Sequence, residues 1–110
     1  MSRGVSFLIL LICALVEAGG DALIRKGIHA PGLLQRVALY LAGAAALFAY
    51  GWLVNRPPWS FGSLLGAYVA LFFVVAQLVA IGMFRERPGT PILIGGTLII
   101  SGGLLITFWR

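Results

Sequence analysis

Residues 5–24 read VSFLILLICALVEAGGDALI, a run in which Glu17 and Asp21 are the only charged side chains. At ~1.5 Å rise per residue, about twenty helical residues cross the ~30 Å hydrocarbon core of a bilayer. A secretory signal would carry a shorter apolar region and a small-residue cleavage site. This run instead passes through two acids and ends on Arg25-Lys26-Gly27. It reads as a retained spanning helix.

Three similar runs follow. The second covers about 37–54 and stops at Asn55-Arg56-Pro57-Pro58, and the third covers 61–84 and stops at Arg85-Glu86-Arg87-Pro88-Gly89. The fourth covers 91–109 and opens on Pro91, suited to a first helical turn where its missing N–H costs nothing. Between the first two runs, Lys26, Gly27, His29, Pro31, Gly32, Gln35 and Arg36 make a breaker-rich loop. Strand-like alternation is absent and the runs are too long for barrel strands, so helices remain as the spanning structure.

Composition agrees. The 110 residues are 61% hydrophobic and 10% charged, with mean hydropathy +1.05. A soluble domain has roughly 45–50% apolar and about 25% charged residues, and a disordered chain has low hydrophobicity; both are excluded. Four spans of ~20 residues leave little for loops. The expectation is therefore an all-α membrane protein of four transmembrane helices in one domain, residues 1–110, with no room for a separate catalytic module.

The net charge of +5 comes from eight cations scattered at segment ends, where they anchor helices at headgroups; nucleic acid is not an expected partner. With both termini on one side, that side holds Arg3, Arg56 and Arg110, and the other holds Arg25, Lys26, Arg36, Arg85 and Arg87. The positive-inside rule places the two odd loops in the cytoplasm, by a margin thin enough to leave dual insertion open.

Cys13 and His29 are each alone in the sequence. No internal disulfide or thiolate cluster can form, and His29 beside Ala30-Pro31-Gly32 reads as a solvated loop residue. No metal site or cofactor is expected. Phosphate-cradling, zinc-protease and nucleophile-elbow motifs are missing, so an enzyme is not expected and no residue is assigned as catalytic.

The acids carry the functional reading. Glu86 sits between Arg85 and Arg87 and reads as a solvated loop charge. From the middle of the first run, Glu17 lies ~4 Å and Asp21 ~10 Å along the axis. Four positions apart, they share a face, and Arg25 continues the stripe. A charge near the bilayer centre costs on the order of 3 kcal/mol unless it faces water, a partner or a bound cation. For Asp21 two readings stay open, a Glu17–Asp21–Arg25 ladder that locks the helix or a site residue. Glu17 has no cation within a turn on its own helix and none inside any other run. An acid there can hold a proton or a cation, and not both at once, which is the minimal machinery of proton-coupled cation antiport.

Ala14 and Gly20 would leave space beside Glu17. Tyr50, Trp52, Tyr68 and Phe72 could face a cation through their rings, although for each the alternative is ordinary packing or a place in the interfacial belt, where Trp59 and Trp109 belong. Gln77 is polar mid-span and reads first as an interhelical bond. In the fourth run Gly95 and Gly102 lie two turns apart, with Gly96 and Gly103 in a parallel row. Small residues let helix backbones approach in lipid, so these rows are expected at a seam between subunits rather than within one.

The chain resembles the small multidrug resistance family of the drug/metabolite transporter superfamily. Three blocks carry the likeness: Glu17-Ala18-Gly19-Gly20-Asp21-Ala22-Leu23-Ile24-Arg25; Gly62 through Ala70; and Arg87, Pro91, Gly95 and Gly102. In this register Tyr68 falls where the family carries a substrate-facing tryptophan and Leu65 where it carries a tyrosine. Asp21 replaces a small or hydroxylated residue, and Gly20 stands where guanidinium exporters carry tryptophan. Ala46-Leu47-Phe48-Ala49 with Ala67-Tyr68 is also similar to YnfA-like four-helix proteins. The resemblance implies an antiparallel homodimer or a pair of related subunits, two inward glutamates, alternating access, and a fourth helix that dimerises. It makes Glu17, Asp21 and Tyr68 the expected proton and substrate residues, in an exporter of hydrophobic or small organic cations in the inner (plasma) membrane. Two alternatives remain: a subunit of a lipid-linked sugar flippase, whose anionic substrate suits two acids poorly, and a non-transporting assembly protein.

Overall fold

In the computed structural model, which describes residues 2–109, four helices account for nearly the whole chain. They are α1 (Arg3–Ile28), α2 (Leu33–Val54), α3 (Phe61–Phe84) and α4 (Thr90–Phe108). All four are long and apolar enough to cross a membrane. The protein is an all-helical, four-span membrane protein. Arg110, counted above among the cations of one side, lies outside the described residues.

Local chemistry sets the helix ends. Ser2 caps α1, its hydroxyl accepting from the Val5 N–H at 3.1 Å, so α1 starts before the apolar run does. Arg25 and Lys26 in its last turn oppose the negative end of the helix dipole, and α1 continues to Ile28. The first loop is shorter than its breakers imply. Gly32 is the N-cap of α2, so Gln35 and Arg36 lie in the first helical turn. There Arg36 reaches back to donate to the Ala30 carbonyl at 2.8 Å.

The helices alternate in direction. Arg3 near the start of α1 stands 5.7 Å from the Phe108 ring at the end of α4, and Phe7 meets Trp59 in the second loop. At the opposite end, Arg25 lies over Phe84 at the end of α3. α1 packs between α2 and α3, and α4 packs on α3. The result is a slab with extents of 52 × 34 × 19 Å.

Glycines make these seams close. A Cβ at Gly43 would stand 2.5 Å from Ile24 Cγ1 and 2.9 Å from the Gly20 carbonyl oxygen. The α3–α4 seam is equally tight: a Cβ at Gly96 would strike Phe73 at 2.6 Å, and one at Gly103 would strike Ala70. The core is small, with Leu10, Cys13, Ala14, Ala18, Val54, Leu64, Tyr68 and Val75 buried together. Outward positions carry large apolar side chains such as Leu34, Leu41, Phe48 and Leu98, the surface a lipid environment requires.

Candidate functional site

Halfway along α1, Glu17 is half-buried. Its Oε1 accepts a hydrogen bond from the Tyr68 hydroxyl of α3 at 2.8 Å. Tyr68 is 4% exposed and stacked on both sides. Tyr50 of α2 lies 5.6 Å away at 25°, and Phe72 one turn further along α3 lies 6.0 Å away at 28°. These offset rings fix the phenol, so the hydroxyl has little freedom to leave the carboxylate. Three helices thus build the acid's surroundings.

Beside this cluster a cavity of about 250 Å³ opens between α1 and α3. Ala18, Asp21, Ala22 and Arg25 line it from α1, and Phe72, Ala76, Val79, Ala80 and Phe84 from α3. Glu86 completes the lining. It arrives there because Arg85 adopts the left-handed conformation, with φ 54° and ψ 34°. This turn lets the N–H groups of Arg85 and Glu86 both reach the Ala80 carbonyl, a Schellman-like closure of α3. A second cleft of about 200 Å³ lies between α3 and α4 against Phe7. Its walls are apolar apart from Thr107 and hold no charged group.

The expected site residues divide. Glu17, Tyr68, Tyr50 and Phe72 come together, and Asp21 joins them through the cavity that Phe72 shares. Gly20 does not leave space beside Glu17, because it faces Ala46 and Leu47 of α2, where a Cβ would have contacts of 3.1 Å. Ala14 is fully buried in the core rather than at a cavity wall. Trp52 is exposed, with the Arg56 guanidinium 3.5 Å from its ring centroid; a cation from the next loop holds it at the helix end. Arg25 lies over Phe84, 5.4 Å from the ring centroid, so the acid stripe does not close into a ladder.

The glycine rows of α4 have unequal surroundings. Gly96 and Gly103 are taken by α3 within the same chain, while Gly95 and Gly102 have nothing within 4 Å of an added Cβ. The expected intersubunit seam is corrected for the first pair, because their approach to Phe73 and Ala70 leaves no gap for a second subunit.

Glu86 and Phe84 were not expected at a site. Glu86 read as a solvated loop charge, and it is an exposed loop residue; nothing in its neighbours announced the turn that also sets it at the cavity. A glycine after α3 would have signalled it, but the position is Arg85.

No family model matches the chain, and no solved structure matches it. Among curated proteins it is similar to a UPF0060 membrane protein of Herpetosiphon aurantiacus, with 28% identity over 101 residues, 90% of this chain and 89% of that protein. The likeness spans all four helices. With the four apolar helices, it supports a small four-helix membrane protein.

Proposed function

We propose that the protein is a proton-coupled antiporter that exports hydrophobic or small organic cations across the plasma membrane by alternating access, as a dimer. The observation that carries this reading is Glu17, a carboxyl at mid-span that accepts a hydrogen bond from a neutral phenol, Tyr68, at 2.8 Å. A charge at that depth is costly without a counter-ion. Either a proton or a cationic substrate supplies what is missing, and the arrival of one favours the departure of the other. Tyr68 holds one carboxylate oxygen, and the Tyr50–Tyr68–Phe72 stack presents ring faces that favour a cation. The cavity that shares Phe72 with this stack carries Asp21 among its lining residues.

One observation favours a second reading. The Tyr68–Glu17 bond joins α3 to α1, which is what a non-transporting assembly protein would use the acid for. Transport separates the two. In proteoliposomes challenged with a panel of organic cations, the wild-type protein should move protons against at least one substrate. Glu17→Gln, which imitates the protonated acid, should fold and move none. If no cation in the panel elicits proton movement from the wild-type protein, the antiport reading is lost. Exchange by Glu17→Gln at the wild-type rate would remove Glu17 from it.

A further inference from the structure

The cavity between α1 and α3 already contains a cation. Arg25 leaves the last turn of α1 and sets its guanidinium 5.4 Å from the centroid of Phe84, inside the ~6 Å range of cation–π attraction. A long basic side chain at the end of a spanning helix ordinarily extends to the headgroups. Here it turns onto an aromatic wall that belongs to another helix.

The rest of the lining suits a cation as well. Phe72 supplies a second ring, and Asp21 and Glu86 supply two carboxylates against the single guanidinium of Arg25. Arg85 and Arg87 flank Glu86 along the chain but do not line the cavity. About 250 Å³ remains with Arg25 in place, so the space is larger than its resident group needs. Glu86 reaches the wall only through the left-handed turn at Arg85. For a non-glycine residue that conformation is uncommon.

We propose that this cavity is a binding site for organic cations distinct from Glu17, and that the Arg25 guanidinium is a tethered occupant which an incoming cation displaces from Phe84. Glu17 is not among the lining residues, so binding here does not depend on proton exchange at that acid. A displaced Arg25 is free to extend to the headgroups. Its side chain then acts as a competitor that sets how tightly the entrance holds a substrate.

The test is equilibrium binding of tetraethylammonium to purified protein in lipid-free detergent, with Glu17→Gln in every sample and helical content checked by circular dichroism. Adding Arg25→Gln should tighten binding about threefold, the scale of one cation–π contact at an exposed side chain such as Arg25. Arg25→Lys keeps a tethered cation and should bind no more tightly than Glu17→Gln alone. Adding Phe84→Leu, or Asp21→Asn with Glu86→Gln, to the Arg25→Gln protein should reverse the gain. Equal affinity with and without Arg25→Gln overturns the proposal, and so does a gain that survives removal of Phe84 and both acids. Should Glu17→Gln not fold, the Arg25→Gln and Arg25→Lys proteins are compared with Glu17 intact, and equal affinities again overturn it. Since Glu17 takes no part in these differences, the failure of antiport at Glu17 and the failure of this site are separate results.

Discussion

Tyr68 meets Glu17 across 51 positions of sequence, and the hydrogen bond its hydroxyl donates is, among the described residues, the one side-chain hydrogen bond tying the acid to another helix. Replacing Tyr68 by Phe keeps the ring between Tyr50 and Phe72 and removes only the donor. A donor to a carboxylate favours its charged form, so without it a proton competes more effectively with a cation. In Tyr68→Phe the pH at which cation binding is half lost should therefore move upward. A pH titration of binding checks this, and an unchanged profile would show that the bond does not bear on the acid. Glu17 itself was legible from its depth and lack of a cation, because the cost of an isolated charge in lipid is read from sequence position alone. By ring chemistry alone its partner was one of several aromatic candidates, and only the family resemblance set Tyr68 ahead of Trp52, whose ring takes the guanidinium of Arg56 instead. Such a contact depends on rotamers and on the angle at which the chain leaves α2.

The pairing of helices rests on glycines whose neighbours the sequence does not name. At Gly43 a Cβ would meet the Gly20 carbonyl oxygen at 2.9 Å, and backbone cannot swing aside as a flexible side chain can. Gly43→Ala should push α2 off α1 and destabilise the fold by about 1–3 kcal/mol, the usual scale of overpacking. Gly19 on the same helix pair has nothing within 4 Å of an added Cβ. Gly19→Ala should be neutral or stabilising by up to about 1 kcal/mol through helix propensity. Denaturant titration of the two variants in detergent micelles, followed by circular dichroism, makes the comparison; equal effects would dissociate the glycines from the seam. The four spans were legible because run length and breakers decide them. The direction each glycine faces was not, since in a helix apolar all round there is no polar face to orient by. Gly96 and Gly103 show the consequence. Their spacing correctly announced a helix–helix contact, but it could not say that the neighbour was α3 of the same chain.

As a whole the molecule is a slab whose cavity opens to its surroundings. α2, α1, α3 and α4 follow one another across it, and Asp21 at the rim of the cavity is exposed. Gly95 and Gly102 point away from the chain's other helices, which is where small residues would serve a second subunit. Gly102→Leu should reduce the dimer fraction in chemical crosslinking while leaving helical content unchanged; an unaltered dimer fraction would move the seam to another helix. Composition alone made the membrane and the helix number legible at this scale, since 61% apolar residues leave few other solutions. The cavity was not legible, because it depends on the turn at Arg85 bringing Glu86 back toward Asp21. The central claim is that one carboxyl holds a proton or a cation by turns. It is tested most directly by measuring proton release when an organic cation binds purified protein in weakly buffered detergent solution. The account predicts that the wild-type protein releases protons on binding and that Glu17→Gln releases none. Cation binding without proton release at any pH, or equal release by Glu17→Gln, would contradict it.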